Sequence, residues 1–105
     1  MKININIVGL GFVGLTTALG FAYKKYPVVC VENNLDRLNL IKKGKVPFKE
    51  PGLEKILKKY KKKYCLFSKN PIIKRDKINL VFICVGTPCK KNGDVNLDYI
   101  KKSIL

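Results

Sequence analysis

Ile3, Ile5 and Ile7 alternate with Asn4 and Asn6 and run into Val8, a two-residue period of β-branched side chains that predicts a strand. Gly9-Leu10-Gly11-Phe12-Val13-Gly14 follows at once, and Leu15 to Tyr23 is then apolar on most faces, the pattern of a buried helix closed by Lys24 and Lys25. Pro27 to Val31 reads as a second short strand ending at Glu32. Asn33-Asn34 is a turn or cap signal. Leu35, Leu38, Leu40 and Ile41 have helical spacing, with Gly44 as the stop. Lys45 to Gly52 holds two prolines and reads as a loop. Leu53 to about Lys62 is a third helix, and Tyr64 to Phe67 a short strand. Leu80 to Val85 is a continuous apolar run, the mark of a strand buried on both faces, cut off by Gly86-Thr87-Pro88. Asn96 or Asp98 opens a last helix.

Strand, glycine turn, helix, strand is a βαβ unit, and its repetition predicts an α/β fold. The expected architecture is a Rossmann-type, doubly wound parallel sheet, incomplete, with helices on both faces. With 105 residues there is room for one domain, taken as 1–105.

The first turn carries the candidate chemistry. In Gly9-x-Gly11-x-x-Gly14, Gly9 permits a tight turn and Gly11 lets backbone approach a pyrophosphate. Gly14 lets the helix lie close to the strand. The helix N-terminus offers free amides and a positive dipole end. The bland alternative is a glycine turn that only packs. Glu32 stands 21 residues after Gly11, where the dinucleotide fingerprint expects an acid for the ribose hydroxyls. It would repel a 2′-phosphate, so NAD is expected over NADP; as a solvated turn residue it would do neither. Arg37 stays open between the adenosine side, a 2′-phosphate and plain helix surface.

Composition narrows the field. The chain has no histidine, so no histidine base or metal ligand is available, and it carries a formal charge of +15. Lysine supplies 20 of the 22 basic residues, and isoleucine (11) and asparagine (9) are also abundant, three amino acids with A/T-rich codons. Nucleic-acid binding is the competing explanation, best served by Lys58, Lys59, Lys61, Lys62 and Lys63 around Tyr60 and Tyr64. That segment reads more simply as the solvated, cationic end of an amphipathic helix. Cys30, Cys65, Cys84 and Cys89 show no two-residue spacing of a metal or redox site; Cys30 and Cys84 sit in strand-like runs as small hydrophobes. No metal site, membrane span or signal peptide is read, and a soluble cytoplasmic protein is the default.

Three stretches together resemble one family. They are Gly9 to Leu15, Pro47-Phe48-Lys49-Glu50-Pro51-Gly52-Leu53, and Val81 to Pro88 with Gly93 and Asn96 to Ile100. Their order and spacing are similar to the N-terminal domain of the UDP-glucose/GDP-mannose dehydrogenases. Val85-Gly86-Thr87-Pro88 points to the UDP-glucose 6-dehydrogenase branch; a related GDP-mannose or UDP-N-acetylhexosamine dehydrogenase and a non-catalytic nucleotide-binding module stay open as alternatives. Other Rossmann dehydrogenases share only the first stretch. The resemblance implies an NAD-dependent oxidoreductase that takes a sugar C6 hydroxyl to a carboxylate with two NAD, through a cysteine-bound thiohemiacetal and thioester. It implies that Gly9, Leu10, Gly11, Phe12, Val13, Gly14 and Glu32 hold NAD, with Arg37 near the adenosine ribose. Val85, Gly86, Thr87, Pro88 and Cys89 would line the crevice, Thr87 foremost. Glu50 either approaches the nicotinamide or caps the following helix.

The chain departs from the family in length and detail. Ser68 stands where relatives have Thr, Asn96 where they have Asp, and Glu32 where Asp is more frequent. The family's catalytic cysteine, lysine and aspartate fall beyond residue 105, so no catalytic residue is assigned. The expectation is a truncated product, a fragment or one piece of a split enzyme. It would be inactive alone, lack the dimer-forming region, and meet a nucleotide sugar only with a C-terminal part.

Overall fold

The computed structural model describes residues 2–85. Four strands and three helices follow in the order β1 (Ile3–Val8), α1 (Phe12–Tyr23), β2 (Val28–Val31), α2 (Leu35–Lys42), α3 (Leu53–Tyr64), β3 (Cys65–Ser68) and β4 (Ile78–Ile83). The strands form one parallel sheet in the order β3-β2-β1-β4, the arrangement expected of a Rossmann-type α/β domain. In register, Ile5 pairs with Val28 on one side and Leu80 on the other, and Val28 pairs with Cys65.

Alternation along the strands divides the molecule into two faces. Ile5, Ile7 and Cys30 point to the side that meets Leu15, Ala18 and Leu19 of α1, Leu38 and Ile41 of α2, and Leu53 and Leu57 of α3. Val8, Val29 and Val31 point to the other side, where Ile72 and Val85 cover them. Among the described residues the three helices therefore share one face; the last helix suggested by the sequence, from Asn96 or Asp98, lies outside them. The crossovers β1 to β2 to β3 advance in one direction, which keeps right-handed connections on one side. The return from β3 to β4, beyond β1, passes over the other side, and there the chain, residues 69–77, has neither helix nor strand.

Helix ends follow local chemistry. Asn34 caps α2, its side-chain oxygen accepting from the Arg37 amide at 3.1 Å. Gly44 ends it at φ +90, with the Gly44 amide bonded to the Ile41 carbonyl and the Lys45 amide to that of Leu40. Helix α1 ends in the same double bond pattern, Lys25 to Ala22 and Tyr26 to Phe21, although Lys25 and not glycine holds the left-handed position at φ +67. Helix α1 is buried on one side only; Phe12, Val13, Thr16 and Tyr23 are exposed. On α3, Tyr60 lies against Tyr23 and Tyr64 at ring separations of 5.8 and 6.1 Å, with Lys59 and Lys63 over the rings.

Strand β4 corrects one expectation. It begins at Ile78, two residues earlier than the apolar run, and Leu80, Val81, Phe82 and Ile83 are each close to 40% exposed. Among the described strands it pairs only with β1, so it stands at an edge of the described sheet and not inside it. No described helix is long and apolar enough to cross a membrane.

Candidate functional site

The sheet order reverses at β1, whose two neighbours are reached by connections over opposite faces. A crevice opens at the carboxyl ends of the strands beside such a point. Three backbone bonds draw those ends together: Gly9 to the Val31 carbonyl at 2.8 Å, Cys84 to the Val8 carbonyl at 2.7 Å, and Glu32 to the Ser68 carbonyl at 3.0 Å. A cavity of about 500 Å³ lies there, lined by Gly9 and Gly11 of the first turn and by Glu32, Asn33, Asn34 and Arg37 after β2. Lys69 to Pro71 after β3 and Cys84 and Val85 after β4 complete the wall.

The three motif glycines have different tasks. Gly9 is at φ +93, and a side chain on it would meet the Cys84 carbonyl group at 3.0 Å. A side chain on Gly14 would overlap the Gly9 carbonyl oxygen. These two let turn, helix and strand end lie close. A Cβ on Gly11 meets nothing within 4 Å, and Gly11 is among the residues that line the cavity. Helix α1 starts at Phe12, three residues ahead of the apolar run that marks it in the sequence, so the motif supplies its first turn. That turn has no side-chain cap and no acid of its own.

Glu32 is buried beside this turn. Its Oε1 accepts from the Leu10 amide at 2.9 Å, its Oε2 from the Asn34 amide at 3.0 Å, and the Arg37 guanidinium lies 3.7 Å from Oε1. The carboxylate thus fastens the glycine turn to the end of β2, a role that spacing alone does not reveal. Leu10 turns its side chain fully into the core. Phe12 and Val13 are exposed, Phe12 edge-on to Phe48 at 5.4 Å, and neither lines the cavity. Glu50 is also exposed and away from it; its carbonyl accepts from the Leu53 amide at 3.2 Å, ahead of α3. Gly86, Thr87, Pro88 and Cys89 lie outside the described residues. The sequence reading missed Asn33, Asn34, Lys69 to Pro71 and Cys84; the signal available for them was position, since each follows the end of a parallel strand.

The described residues hold no group of three or more metal-ligating side chains. Their cysteines are free and unequal. Cys30 is fully buried, as its strand pattern suggests. Its thiol is pushed well up by the neighbouring Cys65 thiol and by burial, while Cys65, beside Cys30, is lowered from its ordinary value. Cys84 lies one residue past β4 and is only partly buried, yet burial still raises its thiol. Mild iodoacetamide treatment of the folded chain is expected to label Cys65 at least about tenfold faster than Cys30. Peptide mass spectrometry reads this, and equal labelling would show that the two strands do not hold the thiols in this relation.

Residues 3–105 match the model of the UDP-glucose/GDP-mannose dehydrogenase family, NAD binding domain. GDP-mannose 6-dehydrogenase of Pseudomonas savastanoi pv. phaseolicola is 41% identical over 98 residues, which is 92% of this chain and 22% of that protein. UDP-glucose 6-dehydrogenase of Pseudomonas aeruginosa is 37% identical over 95 residues, 90% of this chain and 21% of that protein. The crystal structure of a ternary complex of GDP-mannose dehydrogenase from P. aeruginosa superposes with a TM-score of 0.78 at 35% identity, over 97% of this chain and 23% of the other. These identities do not favour the UDP-glucose branch suggested by Val85 to Pro88. The chain spans about a fifth of the length of these relatives, and it belongs to the UDP-glucose/GDP-mannose dehydrogenase family as its NAD binding domain.

Proposed function

We propose that the cavity at the glycine turn holds NAD, and that the chain is the cofactor-holding part of an oxidoreductase acting on a nucleotide sugar. A GDP-sugar such as GDP-mannose is favoured over UDP-glucose by the identities of the relatives. The observation that carries the reading is the open space at Gly11. Gly9 and Gly14 are required by packing, but nothing in the protein itself fills the place of a Gly11 side chain. A pyrophosphate there would approach the backbone closely and take hydrogen bonds from the first amides of α1. The uncapped, acid-free helix start suits that anion. Val85, Gly86, Thr87, Pro88 and Cys89 would continue the wall beyond β4. NAD supplies hydride acceptance; the chain's own residues bind and orient it.

Glu32 holds the turn and leaves its remaining lone pairs for ribose hydroxyls. The same carboxylate opposes a 2′-phosphate. Arg37, 3.7 Å from Glu32, is engaged with it and 44% exposed, so its charge only partly offsets that repulsion. Calorimetric titration of the chain tests both points. NAD is expected to bind, and NADP to bind at least about tenfold more weakly, a difference of about 1.4 kcal/mol. Absence of NAD binding by the folded chain would overturn the cofactor reading. Equal affinity for NADP would mean that Arg37 and Lys69, not Glu32, decide the choice.

A further inference from the structure

The sheet face opposite the helices carries two buried asparagines where a parallel sheet ordinarily presents branched apolar side chains. A side-chain amide costs free energy there unless its polar groups are bonded. Asn6, fully buried in the middle of β1, commits its amide to a single residue of the β3–β4 connection. Its Nδ2 donates to the Ile72 carbonyl and its Oδ1 accepts from the Ile72 amide, both at 2.8 Å. Asn4, on the same face, donates to the same carbonyl at 2.6 Å and to Oδ1 of Asn79 at 2.9 Å. Asn79 in turn holds Lys74, accepting from its amide at 3.0 Å and donating to its carbonyl at 2.8 Å.

These bonds fix a segment that has no strand or helix to fix it. Ile72 is set against Val8, Val29 and Val31. Directly before it, Lys69, Asn70 and Pro71 form a wall of the cavity, and Pro71 stiffens the link between the pinned residue and that wall. Asn6 itself does not line the cavity. A valine at its position would serve the sheet equally well, so the amide answers to the segment and not to the strand.

We propose that Asn6 is a positioning residue for the cofactor cavity. By pinning Ile72 it holds the Lys69 to Pro71 wall in place and so sets nucleotide affinity without touching the ligand. This rests on the NAD reading above. The test is calorimetric titration of NAD into the full chain as wild type, Asn6→Ala, Lys69→Ala and the double variant, with folding checked by circular dichroism. Asn6→Ala is expected to weaken NAD about tenfold, and the double variant to lose clearly less than the product of the two single losses, because both act through one wall. Ile72→Pro, which removes the amide that Asn6 accepts from and leaves Asn6 in place, should reproduce the loss, with its fold checked in the same way because Ile72 also packs on Val8, Val29 and Val31. Wild-type affinity in folded Asn6→Ala or Ile72→Pro, or losses that multiply in the double variant, would overturn the positioning role alone. A folded wild type that binds no NAD would instead remove the cofactor reading and this inference with it.

Discussion

Gly14→Ala is expected to cost the fold about 3 kcal/mol or more, the upper end of what an overpacked core position loses. The added methyl would overlap the Gly9 carbonyl oxygen and stand 3.2 Å from the Cys84 side chain. Retreat is blocked on the other side. Gly9 is tied to the Val31 carbonyl at 2.8 Å, and the space beyond its Cα is closed by the Cys84 carbonyl group. The first helix would have to lift off β1, and Leu15, Ala18 and Leu19 would leave the core with it. For a domain of this size such a loss lowers the melting temperature by on the order of 15 °C. Gly20→Ala on the same helix is the matched control, since a side chain there is exposed and meets nothing within 4 Å. It should be neutral or stabilising by about 0.5–1 kcal/mol. Equal melting temperatures for the two variants would refute the close contact between helix and turn.

The contrast between these glycines explains how far the sequence could be read. The strand, the turn and the parallel order were legible because they rest on local signals: period two in Ile3 to Val8, glycines in the turn, Asn34 and Gly44 at the ends of α2. The extent of β4 was not, because Asn79 reads as a strand breaker until its amide is seen bonded to Lys74 and Lys77. The placement of the three described helices on one face was hidden for a related reason. The connection that crosses the second face has no periodicity, and its hold on the sheet comes from Asn4 and Asn6, more than 60 residues away in the chain. In the sequence those asparagines look like the solvent side of a strand, yet both are buried.

The site was legible to the same degree. Glu32 is found by its distance from the glycine turn, but the bond from the Leu10 amide that makes it a brace depends on how β1 and β2 align. Lys69 to Pro71 carry no motif at all. They reach the cavity because β3 lies beside β2, and only the parallel register brings their strand end level with Glu32.

Gly11→Val is expected to leave the fold intact and weaken NAD binding sharply, the inverse of Gly14→Ala. Gly11 is the N-cap of α1 at φ −75 and ψ −163, extended geometry open to any residue, and its side-chain direction is empty. A valine is a poorer N-cap than glycine, which costs about 1 kcal/mol at most, and nothing in the core moves. Its two methyl groups would occupy the space between the cavity and the first amides of α1. A pyrophosphate there would lose both its room and its donors, and affinity should fall by more than about tenfold, that is about 1.4 kcal/mol. Gly11→Ala, with one methyl group in the same open direction, should fall between the two. Calorimetry with NAD, paired with thermal melts of the three proteins, separates loss of ligand from loss of fold. A folded Gly11→Val chain that binds NAD as tightly as wild type would move the ligand away from this turn. Gly9 and Gly14 would then be packing glycines alone, and Gly11 a glycine without a task.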